Sequence, residues 1–423
     1  MRTLLLATLL FFLPASGTAL QAQGDDNVLP TLPGTIAYIS TDYNVYTLHP
    51  ETNTRVQLTE DGSETQPYIW PTWSTDGRLA YFLSVSTGRT VATEVYVSSD
   101  GGGTGDLIYD GQGKVFNYAY WSPQNCNEGE GCRDLAVLLS TIEGLGVELI
   151  RDGINAPTSR LIGRGAPFYY SWSPDGSRML WQRNNQRMDI YDVEARHITE
   201  TLPQAPGAFS APAWSPVDDR LLFGALNGES GTTDLVIAAN GETNILAPEL
   251  EGVIYFAWSP DGNKVAYTSQ QGPLMVVDAV TGDILSRSSV SGVLAFFWSP
   301  DSGQIAYITL ATPPGSISAK TSVNGSRAGY QEATGIAWSV MDIQGGNTRH
   351  YGSFIPTREM VYLFIYFDQF SQSHRIWSPD SRYLLYSEIT AANSASINIL
   401  DTSQTNVVPF SVAEGYIGIW SFS

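Results

Sequence analysis

The residues best suited to bind or transform a ligand lie in one aromatic and polar stretch, 366–377, near the C-terminus. It reads Tyr-Phe-Asp-Gln-Phe-Ser-Gln-Ser-His-Arg-Ile-Trp. The carboxylate, imidazole and guanidinium can make polar contacts to a ligand or partner, and the two leading rings offer an apolar platform. Alternatively, the rings cover a sheet face and the charges pair with each other. The candidate binding residues are Tyr366, Phe367, Asp368, His374 and Arg375.

Metal or acid-base chemistry based on histidine needs several imidazoles at one place. The chain has four histidines, His49, His197, His350 and His374. The repeat pattern described below puts His374 near the centre of the fold, His49 in a turn and the other two on outer strands. We therefore predict no catalytic residue, no metal site and no cofactor.

Two cysteines, Cys126 and Cys132, lie in one loop that replaces a short turn of the repeat. In an exported protein, a disulfide that closes such a loop is the expected chemistry. A metal site would need more ligands than two thiols and the neighbouring carboxylates. We predict a disulfide that stiffens the loop.

A recurring hairpin must position these residues. Between Phe256 and Tyr267, an apolar strand runs into Trp-Ser-Pro-Asp-Gly and a second strand follows. Pro presets φ at the turn, Asp bonds the backbone ahead of it, and Gly accepts a positive φ. The Trp-Ser pairs recur at intervals of 40 to 51 residues, with one interval of 79, which is typical of a β-propeller. The repeated tryptophans are Trp73, Trp121, Trp172, Trp214, Trp258, Trp298, Trp377 and Trp420.

We therefore predict an all-β fold in which residues 35–423 form a single propeller. The first strands after residue 35 have no Trp-Ser strand before them, and residues 416–422 supply one at the other end of the chain. We expect this C-terminal strand to complete the N-terminal blade, because closure removes exposed sheet edges. The count is then eight four-stranded blades, with seven as the alternative if one weak unit is not a full sheet.

The interval of 79 residues is explained by insertions in the propeller at about 311–335 and 354–370. Within it, Trp338 is followed by Ser but fits the third strand of a blade better than the start of a new one. A hidden extra blade is the rival explanation, for which no spare Trp-Ser turn exists. The repeated aromatic residues are expected to fill the space between blades.

The repeat from Trp258 to Tyr267, and again from Trp172 to Trp181, resembles the WD40-like Pro-Asp (PD40) repeat of TolB-like β-propellers. The resemblance covers nearly all of the chain after its N-terminal stretch. It implies a propeller and leaves function open. The chain departs from TolB, which adds an N-terminal α/β domain and has six blades.

Enzyme families with similar propellers fit the sequence poorly. Prolyl-oligopeptidase-like peptidases need a hydrolase domain with a Gly-x-Ser-x-Gly elbow, which is absent here. Sialidase-like turns end in a Trp and have no Pro between Ser and Asp, whereas turns of this chain such as the one at Trp258 have that Pro and lack the trailing Trp. Oligogalacturonate lyases use metal-binding histidines in a related propeller, and one inner histidine, His374, is too few for such a site.

The N-terminus indicates export. Residues 1–22 read as a secretory signal peptide, with Arg2, an apolar run over 4–13, Pro14 and small residues up to the end. Residues 23–34 read as a flexible lead-in. We expect a periplasmic, cell-surface or extracellular protein, with an uncleaved N-terminal anchor as the alternative and no later membrane span.

The formal net charge of −20 argues against nucleic acid as a partner, because phosphates would be repelled. We predict an exported, monomeric, non-enzymatic propeller that serves as a scaffold for protein or peptide binding. The alternative is a protein that binds a small ligand or glycan in the central channel, or an enzyme similar to polysaccharide lyases that acts there.

Overall fold

The recurring hairpin forms through a hydrogen-bonded turn that its own residues supply. The Ser259 hydroxyl donates to the Asp261 carboxylate over 2.5 Å and accepts from the Lys264 amide over 2.9 Å. Gly262 has φ +68°, which the turn requires and glycine adopts without strain. The same two hydrogen bonds, from the Ser hydroxyl to the Asp carboxylate and from a backbone amide to the Ser hydroxyl, recur at Ser173 and Ser299. These copies of the turn therefore start the same antiparallel pair of strands.

The computed structural model describes residues 32–423, apart from residues 87, 89, 208–209, 270–271, 312–334, 392–393 and 406. The expected signal peptide, most of the lead-in at 23–34 and most of the insertion at 311–335 lie outside the described residues. Leu32, at the end of the lead-in, is buried. Within the described ranges, no helix is long and apolar enough to cross a membrane.

The described residues form strands in eight sheets. The strands of its first half are β1 (Ile36–Ile39), β2 (Val45–His49), β3 (Thr54–Gln57), β4 (Tyr68–Trp73), β5 (Leu79–Ser86), β6 (Val91–Ser98), β7 (Asp106–Gln112), β8 (Val115–Asn125), β9 (Arg133–Thr141), β10 (Gly144–Asp152), β11 (Thr158–Arg164), β12 (Phe168–Trp172), β13 (Arg178–Arg183), β14 (Arg187–Asp192) and β15 (His197–Thr201). The strands of its second half are β16 (Ala213–Trp214), β17 (Leu221–Leu226), β18 (Thr233–Ala239), β19 (Glu242–Leu250), β20 (Ile254–Trp258), β21 (Lys264–Ser269), β22 (Pro273–Asp278), β23 (Ile284–Ser291), β24 (Ala295–Trp298), β25 (Gln304–Ala311), β26 (Gly335–Asp342), β27 (Thr348–Phe354), β28 (Tyr383–Ala391), β29 (Ser394–Asp401), β30 (Phe410–Glu414) and β31 (Ile417–Trp420).

These sheets are the blades of an eight-bladed β-propeller, as the repeat predicts. Blades 2 to 7 are antiparallel meanders of four consecutive strands, starting at β4, β8, β12, β16, β20 and β24. Inner strands are buried and outer strands are largely exposed, as β12 and β15 show. Blade 8 has three strands, β28 to β30, and residues 375–377 take its inner position through single bridges. Trp338 lies in β26, the third strand of blade 7, as expected.

The predicted closure of the ring is confirmed. The C-terminal strand β31 pairs with β1 over Ile36–Ile39, and blade 1 has the order β3-β2-β1-β31. One sheet therefore joins both ends of the described chain, and β31 covers the edge of β1 that would otherwise be open.

Repeated hydrogen bonds between neighbouring blades also hold the ring together. The indole N–H of a repeated Trp donates to the carbonyl of the residue just before the Trp of the preceding blade. Trp73, Trp214 and Trp420 lack this bond in the part of the chain that the structure describes. The five bonds, 3.0–3.3 Å long, are Trp121 to Thr72, Trp172 to Tyr120, Trp258 to Ala213, Trp298 to Ala257 and Trp377 to Phe297.

Replacing one such tryptophan tests its structural role. Trp258 is 7% exposed, packs in the core between blades 5 and 6, and lies under the Arg220 guanidinium. We expect Trp258→Ala to lower the free energy of unfolding by about 3–5 kcal/mol, because it leaves a large cavity. Urea denaturation measures this, with the exposed Val280→Ala as the control. Equal unfolding free energies for the Trp258 variant and wild type would contradict the assignment.

Candidate functional site

Two short helices follow blade 7 and were not predicted. After β27 ends, helix α1 spans Arg358–Ile365 and helix α2 spans Phe367–Phe370. Thr357 caps α1, since its side chain accepts from the Met360 amide over 3.3 Å. Its hydroxyl also donates to the carbonyl of Tyr416, which ties the start of the helix to the end of the chain.

Helix α2 occupies the centre of the ring. The Phe367 ring contacts Tyr255 and Phe296, with ring centres 5.1 and 4.9 Å apart. On the opposite side, the Phe370 ring lies 4.7 Å from Trp70 and 5.1 Å from Tyr118. These four partners belong to the inner strands of blades 6, 7, 2 and 3, so the helix fills the central channel with side chains.

Gln369 anchors α2 to blade 4 through both ends of its amide. The side-chain oxygen accepts from the Tyr170 amide over 3.1 Å, and the side-chain nitrogen donates to the Tyr170 carbonyl over 2.8 Å. The Tyr118 hydroxyl donates to the Gln369 carbonyl over 3.0 Å. Gln369 is 3% exposed. A buried amide with this many partners positions the helix firmly, because losing any of them would leave a polar group unpaired.

Polar side chains in α2 and directly after it support the short inner strand of blade 5. β16 has two residues, and the backbone before it is bonded to side chains instead of a strand. The Ala211 amide donates to the Asp368 carboxylate over 2.9 Å. The Trp214 amide donates to the Ser171 hydroxyl, which in turn donates to the Gln372 side chain over 2.6 Å.

His374 is a buried, neutral residue of this same segment. Its Nε2 lies 3.1 Å from the Thr72 hydroxyl, its Nδ1 lies 2.7 Å from the Ser373 hydroxyl, and the residue is 1% exposed. Burial lowers the pKa of His374 to about 3. The imidazole is therefore uncharged at neutral pH and both of its nitrogens are engaged.

Above the filled channel lies a cavity of about 360 Å³, which we call the bowl. It opens on the face of the Trp-Ser turns, and its wall includes the prolines of several of these turns. Its lining includes Asp368, Ser371, Gln372, His374 and Arg375, all from the segment after α1. The repeated tryptophans that line it are Trp73, Trp121, Trp172, Trp214, Trp258, Trp298 and Trp377.

Three of the five candidate binding residues line the bowl and two do not. Asp368, His374 and Arg375 are part of its lining. Phe367 is fully buried against inner strands, and Tyr366 packs on Tyr362 with ring centres 4.9 Å apart. The structure thus brings the polar candidates together and separates them from the expected aromatic platform. Whether these residues bind a ligand stays a prediction.

Sequence reasoning missed most of the bowl wall. We predicted that the seven tryptophans pack between blades. They also line the bowl, because each lies where the inner segment of a blade ends at the same face. That shared position was the signal that could have revealed them. Tyr120 and Phe422, which also line the bowl, carry no such signal in the sequence.

Other groups considered for chemistry lie apart. His49 was predicted in a turn but is the last residue of β2, where its ring bonds Thr35. His350 bonds Ser339, and His197 is exposed on an outer strand. Among the described residues, one cluster has metal-like spacing, Cys126 with Glu128 and Cys132. The two cysteines form the predicted disulfide, so their thiolates are not available to a metal.

The turn aspartates serve the turns. Asp76, Asp175, Asp261 and Asp380 each accept from the hydroxyl of the serine two residues before them. The pKa of Asp261 is lowered to about 2; burial opposes this shift, and bonds from Ser259 and Lys264 outweigh it. This is the bonding expected of turn residues.

Comparison with known proteins supports the fold and goes no further. No protein-family model and no curated protein matches the chain. Among solved structures, one of a eukaryotic initiation factor matches with 11% identity, 92% coverage of this chain, 98% of that chain and a TM-score of 0.51. TolB from Acinetobacter baumannii matches with 13% identity, 77% coverage of both chains and a TM-score of 0.38. An oligogalacturonate lyase in complex with manganese matches with 12% identity, 82% coverage of this chain, 86% of that chain and a TM-score of 0.46.

The burial of His374 predicts a specific loss of stability in acid. An unfolded imidazole has a pKa of about 6.5, so between pH 6.5 and the folded value the unfolded chain binds more protons. The contribution of the buried, neutral His374 to the free energy of unfolding is therefore complete above pH 6.5 and is lost as the pH falls towards the folded pKa. We expect the drop in unfolding free energy from pH 7 to pH 4 to be smaller in His374→Gln than in wild type, by about 3 kcal/mol.

Denaturant titrations at the two pH values measure this difference. His197→Gln is the matched control, because its imidazole is exposed on an outer strand. The same acid sensitivity in His374→Gln and wild type would show that His374 is accessible to protons in the folded state.

Proposed function

We propose that the protein is an exported, non-enzymatic propeller that binds a protein or peptide partner in the bowl. The observation that carries the proposal is the filling of the channel by the segment after α1. This segment turns a channel into a closed depression with an aromatic wall and fixed polar groups on its floor. Such a depression at the centre of a broad face suits an anchoring side chain of a partner.

The ionisable groups of the bowl argue against catalysis. His374 is neutral with both nitrogens bonded, and the Asp368 carboxylate accepts from the Ala211 amide. General acid-base catalysis needs a pair of groups that can exchange protons with a substrate near neutral pH. His374 and Asp368 instead hold the inner strands in place.

A propeller of the Pro-Asp repeat family is the natural assignment for this chain. The hydrogen bond from Ser to Asp in the turns at Ser173, Ser259 and Ser378 supports it, because these residues of the repeat have a defined structural task. We propose the same architecture of rigid blades and variable loops that makes such propellers suitable for binding other proteins.

Export is supported by the disulfide between Cys126 and Cys132, a bond that persists in oxidising compartments. If the chain is expressed in full in a secreting bacterial host, we expect the exported protein to have lost about its first 19 to 22 residues, the stretch that reads as a signal peptide. Intact mass spectrometry of the purified protein decides this. Full-length protein retained in the membrane fraction would instead indicate an N-terminal anchor.

Peptide binding can be tested by filling the bowl. Ser371 lines the bowl directly after α2, so Ser371→Trp adds an indole to it. We expect a random peptide library to yield peptides that bind wild type and lose at least about tenfold in affinity for the variant. The control is Ser159→Trp, which puts the same side chain on the exposed strand β11. Circular dichroism and Tm confirm that both variants are folded.

The second candidate function is binding of a glycan or small ligand in the same bowl. The tryptophan wall favours it, since aromatic rings also pack against sugars and small apolar ligands. A glycan array screened in parallel separates the two. Glycans that bind wild type but not Ser371→Trp, with no peptide found, would overturn peptide binding in favour of this candidate.

A further inference from the structure

Arg375 is a cation of the bowl that has no counter-charge among the described residues. In the part of the chain that the structure describes, the other arginines that are partly or fully buried have a carboxylate or carbonyl partner. The Arg375 guanidinium has neither among the described residues. It lies 4.0 Å from the centre of the Phe422 ring, which also lines the bowl.

The environment of Arg375 keeps it charged but poorly solvated. Burial lowers the pKa of Arg375 to about 10, so it stays protonated at neutral pH. The ring of Phe422 holds the planar guanidinium by a cation–π contact and leaves its N–H donors available. A partly desolvated cation with available donors binds an anion more strongly than an exposed one does.

Tyr120 supplies a second donor beside Arg375. It lines the bowl, and its hydroxyl has no hydrogen-bond partner among the described residues. Burial raises the pKa of Tyr120 to about 12 against the opposing effect of Arg375, so the phenol keeps its proton at neutral pH. The other charged group of the lining is Asp368, whose carboxylate accepts from the Ala211 amide over 2.9 Å.

We propose that Arg375 and Tyr120 bind the C-terminal carboxylate of a partner peptide, with its last apolar side chain against the tryptophan wall. A carboxylate accepts from both donors at once, and Arg presents a fork that matches its two oxygens. This inference rests on the proposed function, because it names the chemistry of the peptide that the bowl would hold.

A chain end fits the bowl better than other sources of a carboxylate. The segment after α1 closes the bowl from below, so a chain can enter with its end but cannot pass through. A polyuronate carries a charge on every sugar, and a protein with a net charge of −20 would repel it. A peptide that ends in an apolar residue brings one negative charge and the apolar surface that the wall can cover.

The test compares matched pairs of peptides. Acetylated tetrapeptides ending in Leu, Phe or Trp are made as the free acid and as the C-terminal amide, and their binding is measured by titration calorimetry. We expect wild type to prefer the free acid by roughly 10- to 100-fold, as for hydrogen bonds to charged groups. Arg375→Met should abolish the preference and Tyr120→Phe should reduce it by about fivefold.

Arg287→Met is the control, because it removes the same charge from the exposed outer strand β23. It should leave the preference unchanged. If Arg375→Met does not fold, the acid and amide pairs on wild type and the Tyr120→Phe variant still decide the question.

The outcomes separate this inference from the proposed function. Equal binding of acid and amide, with both lost in Ser371→Trp, overturns the carboxylate site and leaves peptide binding intact. Binding of neither peptide, together with Arg375-dependent binding of digalacturonate, overturns both in favour of an acidic sugar. A preference for the free acid that Arg375→Met leaves unchanged overturns the assignment of Arg375.

Discussion

A ring of eight sheets must fill its own centre, and the rest of the structure depends on how it does so. The inner strands bring rings such as Tyr255, Phe296 and Tyr118 towards the axis, and apolar surface there has to be covered. Helix α2 covers it with Phe367 and Phe370. Because α2 and the residues after it carry polar as well as aromatic side chains, this segment both packs the core and provides the floor of the bowl.

The filling segment also carries out tasks that a complete strand would otherwise perform. Gln369 bonds the amide and carbonyl of Tyr170 as a neighbouring strand would, and Asp368 accepts the Ala211 amide ahead of a two-residue strand. Buried backbone groups need partners wherever the sheet ends early. This requirement explains why so polar a segment lies in the middle of an apolar core, and it limits how many of its polar groups remain for a ligand.

The propeller could be predicted from sequence because its signal is local and repeated. The Trp258 hairpin shows its own turn chemistry, and its Trp-Ser pair recurs at regular intervals, so the blades and the closure by β31 could be predicted. The disulfide could be predicted because both cysteines lie in one loop. The helices could not be predicted: the run from Met360 to Tyr366 is aromatic and apolar, as a strand would be. Likewise the role of Gln369 depends on Tyr170, 199 positions away, which no local pattern records. Polar residues of the site were found by their types, and Tyr120 was missed because only proximity to Arg375 distinguishes it.

The closure of the ring and the geometry of the bowl are coupled through the last residues of the chain. The Trp420 amide donates to the Arg375 carbonyl over 2.8 Å, so the strand that closes blade 1 also fixes the backbone of the inner segment of blade 8. Two residues later, Phe422 lies against the Arg375 guanidinium. A long, flexible side chain loses much entropy when it is ordered. Arg375 is instead held in place before any ligand arrives, by a contact that exists only when the ring is closed, and preorganisation of this kind lowers the cost of binding.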